Sequence, residues 1–136
     1  PWRGIARMNP GLIAALRAAD LVVGYNLLRF DYEGLRRYTE DPLLDLPTID
    51  MLDDIHRTLG WRLKLDDVAA ATLGERKSAD GLQAVRWFRE GEIDKVVDYC
   101  RRDVEVTRQV YQFGQKNGYI QYRDRKWRSR RVFVQW

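Results

Sequence analysis

Apolar residues along the chain keep two different rhythms. Over residues 9–19 (NPGLIAALRAA), Leu12, Ile13, Leu16 and Ala19 recur at three- and four-residue spacing behind Asn9 and Pro10, which predicts a capped helix. Residues 21–24 (LVVG) are instead a short, unbroken, β-branched run, the pattern of a strand buried on both faces. Helical spacing resumes over 30–39 (FDYEGLRRYT) at Phe30, Leu35 and Tyr38, with Gly34 as its weak point. PTIDML at 47–52 fits either a short strand or the entry to a helix.

Four further helical segments follow. DMLDDIHRTLG (50–60) and KLDDVAAATLG (64–74) each end on a glycine. After the polar stretch ERKSADG, residues 81–91 (GLQAVRWFREG) place Leu82, Val85 and Trp87 or Phe88 on one side. The longest helix is predicted over 92–116, where Ile93, Val96, Val97, Cys100, Val104, Val110 and Tyr111 repeat at three and four; Asn117-Gly118 closes it. YIQYRD and RRVFVQW then alternate like two strands around a basic turn. No repeat or linker interrupts the pattern, so one domain over 1–136 is expected: α/β, helix-rich, with a reduced sheet. A lone buried strand at 21–24 needs partners, and only 47–50 and the C-terminal pair are on offer. The chain starts at Pro1 rather than Met, and we expect it to be an N-terminally truncated piece.

Composition narrows the chemistry. With 136 residues and 45% hydrophobic content, the chain is long enough to bury a core without cross-links. Cys100 is the single cysteine, which excludes an internal disulfide and a cysteine-based zinc cluster and fits a cytoplasmic location. No apolar run approaches a membrane span. His56 is the single histidine and sits in a polar helical stretch, so a Ser-His-Asp mechanism is not expected. The formal charge of +4 is uneven: residues 119–136 carry six basic residues against the one acid Asp124, a local +5, and the rest is near neutral. Beside Tyr122 and Trp127, this basic C-terminal strand pair suits a phosphate backbone, although an ordinary solvated hairpin has the same composition.

Two places carry candidate chemistry. In LVVGYNLLRFD a strand ends at Gly24, Asn26 suits the turn, and Asp31 falls where the next helix begins. Ligands gather at that end of a strand in α/β folds, and a carboxylate there can hold a hard divalent cation. Taken alone, Asp31 reads as an acid favoured at a helix start. In VDYCRRDVEVT, Tyr99 and Asp103 share one helical face with Val96 and Thr107. Such a pair serves equally as metal ligand and water-holding phenol or as plain helix neighbours.

Together, GYNLLRFD and YCRRDV resemble the second and third motifs of the DEDD exonuclease superfamily in its tyrosine branch. The run from LPTIDML to YRDR is similar to the YprB-type ribonuclease H-like domains, which often accompany helicase-like proteins in bacteria. The resemblance implies a ribonuclease H-like fold and a metal-dependent 3′–5′ exonuclease acting on single-stranded DNA or RNA with two Mg²⁺ or Mn²⁺ ions. It implies that Asp31 and Asp103 are metal ligands and catalytic acids, that Tyr99 orients the attacking water, and that Asn26 and Phe30 shape the second motif. Lys77 and Ser78, in the polar loop, are candidate phosphate contacts by position.

The first DEDD motif, Asp-x-Glu on an opening strand, has no counterpart here. Asp103-Val104-Glu105 has the spacing, but on a helix its two acids point roughly 200° apart. The expectation is therefore an incomplete nuclease. The alternatives are a non-catalytic nucleic-acid-binding or helicase-associated module, and a helical interaction domain in which Tyr99 and Asp103 are structural.

Overall fold

The structure, a computed structural model, describes residues 11–36, 45–74 and 81–136, the side chains of 11–13, 31 and 81 excepted. The architecture is α/β and helix-rich, with two small two-stranded sheets among the described residues. The chain divides into two compact units, Pro1–Asp54 and Ile55–Trp136. No helix among the described residues is long and apolar enough to cross a membrane.

In the first unit, α1 (Gly11–Ala18) leads to β1 (Val22–Gly24). Of the apolar points expected on α1, Leu16 packs on the core and Ala19 is exposed; Asn9 and Pro10 lie outside the described residues. β1 finds its partner in β2 (Thr48–Asp50), which runs parallel to it with Val22 opposite Thr48 and Gly24 opposite Asp50. The ambiguous PTIDML is thus both things in turn: β2, then directly α3 (Met51–Leu59).

The helix expected over 30–39 is differently built. The backbone first winds as a single π-helical turn over Leu27–Asp31 and then as α2 (Tyr32–Leu35); residues 37–44 lie outside the described residues. Phe30, expected on the apolar side, is 59% exposed, whereas Tyr32 and Leu35 are buried with Val22, flanked by Leu16, Leu27, Leu28 and Leu46. The wide turn rotates the following side chains, which is why a 3.6-residue count from Phe30 misassigns the face. Tyr32 donates its hydroxyl hydrogen to Thr48 Oγ1 at 2.7 Å, because the Thr48 hydroxyl itself donates to the Leu46 carbonyl at 2.9 Å. A buried phenol is thereby satisfied while it ties α2 to β2.

The second unit contains α4 (Leu65–Leu73), α5 (Gly81–Arg89), the 25-residue α6 (Ile93–Asn117), and an antiparallel hairpin of β3 (Tyr119–Arg123) and β4 (Ser129–Phe133). α4 packs on β3 and α6, and α6 packs on β3 and α5. Val68 and Ala69 of α4, Val110 of α6, Ile120 of β3 and Val132 of β4 are buried. Thr72 Oγ1 donates to the Gln121 carbonyl at 3.1 Å and accepts from the Gln121 N–H at 2.9 Å, so one hydroxyl pins α4 along the edge of β3. On α6, Gly114 is buried beneath Val134 and Trp136; a Cβ there would overlap the Trp136 ring. The indole also stacks on Tyr111 with centroids 6.1 Å apart.

Two expectations about apolar faces are corrected. Leu82 is 79% exposed, and Val85 and Phe88 are exposed beside it. On α6, Ile93, Val97, Cys100 and Val104 are also exposed, Val104 at 70%. The covered stripe is instead Val96, Tyr99, Asp103 and Thr107, half-buried, continuing into buried Val110 and Gly114. The packing of α4, α5 and β3 on α6 leaves covered the stripe that carries the acid, not the one richest in valine.

Candidate functional site

The turn after β1 is held by an acid on the neighbouring strand. Gly24 is buried, and Leu27 folds back over it so closely that a Cβ would meet the leucine side chain. Asn26 then adopts left-handed backbone at φ 70°, a conformation Asn tolerates better than most side chains. This turns the N–H groups of Asn26 and Leu28 toward β2, where the Asp50 carboxylate accepts them at 2.8 Å and 3.0 Å. Asp50 is 7% exposed and also accepts from the N–H groups of Leu52 and Asp53, at 3.1 Å and 3.3 Å. It is therefore the N-cap of α3 and the anchor of the β1 loop at once.

From that anchor the chain enters the π-helical turn. Phe30 N–H donates to the Asn26 carbonyl at 3.1 Å, and Asp31 closes the turn just before α2. The backbone of Asp31 thus sits beyond the carboxyl end of a parallel strand, as the sequence suggests; its side chain lies outside the described residues. Lys77 and Ser78 also lie outside them. Asn26 and Phe30 belong to this loop, Asn26 as its left-handed pivot and Phe30 as its exposed ring.

The other candidate segment is on α6. Tyr99 and Asp103 lie one turn apart on the covered stripe, and the Asp103 carbonyl accepts from Thr107 Oγ1 at 2.6 Å. Burial, and then the negative charge of Asp66, push the Asp103 carboxyl above its ordinary range. Asp103 in turn acts on Cys100, whose thiol is raised by partial burial and then by that carboxylate. Asp66, near the start of α4, is thus brought toward Asp103 by the packing of α4 on α6. Glu105 goes the other way: it is exposed and bound to Arg108 and Gln109, whose hydrogen bonds hold its carboxyl below the ordinary range. It shares no face with Asp103, as the helical geometry requires.

Two acids escaped the sequence reading. Asp50 had a usable signal, since an Asp between a strand and a helix with a free first turn is an N-cap pattern. Asp66 had none, because nothing in its spacing says that α4 will lean on α6. Hard oxygen donors of this kind suit a divalent cation. Among the described residues, no group of three or more His, Cys, Asp or Glu side chains is placed to hold a metal ion.

A family model described as the RNase H superfamily matches residues 7–114, a span that includes both motif segments. The chain belongs to the RNase H superfamily. No curated protein and no solved structure matches it. The match gives this α/β, helix-rich chain a ribonuclease H-like fold, and membership points to nuclease-like hydrolysis of nucleic acid. The hairpin Tyr119–Phe133 lies past the matched residues.

Proposed function

We propose that this RNase H-like chain is a 3′–5′ exonuclease domain of the tyrosine DEDD kind, acting on DNA or RNA. Asp31 and Asp103 are its metal-binding acids, and Tyr99 is the residue that orients the attacking water. The observation that carries the reading is Asp103, a half-buried carboxylate on the covered face of α6, one turn from a tyrosine. A half-buried carboxylate one helical turn from a tyrosine is the arrangement that the tyrosine DEDD resemblance calls for on this helix.

The residues divide the work as follows. Bound Mg²⁺ or Mn²⁺ would supply Lewis-acid charge to the phosphodiester oxygens. Asp31 and Asp103 would hold the ions, and the Tyr99 hydroxyl would orient the attacking water. The loop anchored by Asp50 sets where Asp31 leaves the backbone, and the exposed Phe30 ring offers a stacking face to a terminal base. Lys77 and Ser78 complete the phosphate contacts. Residues 1–20 hold Asp20 as their one acid, so the Asp-x-Glu pair that the resemblance calls for is not among them. A non-catalytic nucleic-acid-binding or helicase-associated module is the second reading, favoured by the +5 charge of residues 119–136.

Metal-linked stability tests the assignment. The melting temperature of the wild-type chain should rise with Mn²⁺ and fall back with EDTA. Asp103→Asn and Asp31→Asn should each abolish the rise. A rise of the same size in both variants would remove these residues from the metal site and the nuclease reading with them.

A further inference from the structure

The hairpin past the family match presents two unlike faces. Ile120 opposite Val132 and Tyr122 opposite Arg130 share the face where Ile120 and Val132 are buried. The other face is built from Tyr119 opposite Phe133, Gln121 opposite Arg131, and Arg123 opposite Ser129. On it, aromatic rings and guanidinium groups alternate in contact. The Arg131 guanidinium lies 4.2 Å from the Tyr119 ring centroid, and Tyr119 meets Phe133 edge-on at 6.4 Å. At the far end the Arg123 guanidinium lies 5.4 Å from the Trp127 ring. Trp127 is 74% exposed and Phe133 73% exposed, one at each end of the face.

The turn that carries Trp127 is rigidly specified. Asp124 accepts from the N–H groups of Lys126 and Arg128, each at 2.9 Å, and from Arg130 Nε at 3.0 Å. These bonds, the Arg128 N–H first, keep its carboxyl below the ordinary range despite some burial. The single acid of residues 119–136 is thereby consumed within the turn, and the six cations around it keep a net positive field. Trp127 itself stands at φ 62°, where a bulky residue is a rare choice and glycine the easy one. Placing an exposed indole there costs the fold something and gives the core nothing.

We infer that the outer face of the β3–β4 hairpin is a stacking and phosphate-binding platform for single-stranded nucleic acid. The inference rests on the nucleic-acid reading above and extends it to a surface that family membership does not assign. Charge complementarity selects the partner: a polyanion meets the +5 field, and flat bases meet the rings that flank Arg123 and Arg131. The step in affinity comes from stacking on Trp127 and Phe133, and the salt dependence comes from the arginines.

The test is fluorescence anisotropy with labelled single strands of about 15 nucleotides, as DNA and as RNA, in EDTA and over a range of salt. Trp127→Gly is the key variant, since glycine relieves the left-handed backbone and leaves the turn bonds and charge in place. It should weaken binding about tenfold, a typical loss for one stacked base, with the salt slope unchanged. Arg123→Gln with Arg131→Gln should lower the slope by about 1.4, the loss of two phosphate contacts to a single strand. Binding by Trp127→Gly within about twofold of wild type, equal affinity for a blunt duplex, or no binding by wild type would each overturn the platform. The nuclease reading is judged separately, by the Mn²⁺-dependent melting of Asp103→Asn, a readout that does not involve the hairpin.

Discussion

The Asp50 carboxylate accepts the backbone N–H of Asn26 at 2.8 Å across 24 residues of sequence, and Leu28 follows at 3.0 Å. One buried acid therefore decides how the chain leaves β1 and how it enters α3. Asp50→Ala strands two loop N–H groups and two helix-start N–H groups at once. Each unsatisfied buried donor costs about 1–3 kcal/mol, and the helix-start pair retains some access to water. We expect a loss of roughly 3 kcal/mol in urea denaturation. A loss under about 1 kcal/mol would mean that other groups take over the four donors.

Asn26 offers a cleaner test of backbone geometry. Ala and Gly both remove the amide and differ only by the Cβ, so their difference reports chiefly what a Cβ costs at a φ of 70°. Asn26→Ala should be less stable than Asn26→Gly by about 0.5–1 kcal/mol, the left-handed penalty less the extra freedom of glycine in the unfolded chain. Equal stability of the two variants would show that the loop relaxes to another conformation.

How far the sequence discloses this molecule depends on whether an element is decided locally. The helices over 51–59, 65–73 and 93–117 and both hairpin strands were legible because caps, glycines and alternation act within a few residues. The superfamily was legible too, since the family match spans both motif segments; the roles of Asn26, Phe30, Asp31, Tyr99 and Asp103 within them are the proposal made above. What failed was the choice of face. Val97 and Val104 are the better apolar residues, yet Tyr99 and Asp103 are the ones covered, because the elements packed on α6, not its own residues, decide which stripe is covered. The π-helical turn at Leu27–Asp31 was invisible for the same reason, since its cause is an acid on another strand.

Gly114 should tolerate no side chain. A Cβ there would overlap the Trp136 ring and crowd Val134, which also hydrogen-bonds through its N–H to the Gly118 carbonyl at 3.0 Å. Gly114→Ala is expected to cost about 1–3 kcal/mol, the usual size of an overpacking strain. Adding Trp136→Ala should recover part of that loss, so the pair will be non-additive by thermal melting. Strict additivity would place the strain somewhere other than the ring.

Activity of the chain by itself should be low, since the proposed site draws on Asp31 and Asp103 and residues 1–20 supply no Asp-x-Glu pair. Pure protein with Mn²⁺ is expected to leave a labelled single strand largely intact over an hour-long assay. Brisk metal-dependent shortening would show that the remaining carboxylates come from within this chain, with Asp66 the first to mutate because it already acts on Asp103.

The pH dependence of Asp103 has a definite sign. Burial and Asp66 raise its carboxyl above the unfolded value, so the folded state binds the proton more tightly than the unfolded chain does. Stability attributable to this group is then full at low pH and falls as pH rises from the unfolded value, near 3.8, through the raised folded one. At neutral pH the ionised acid is a liability that Asn does not share. In EDTA, Asp103→Asn should melt higher than wild type at pH 7, and the difference should shrink as the pH is lowered into the carboxylate range. With Mn²⁺ at pH 7 the order should reverse, because the cation rewards the charge that the empty fold resists. A variant that is less stable than wild type at pH 7 in EDTA would show that Asp103 already has a sufficient cationic partner in the protein, and the case for a metal at that position would go with it.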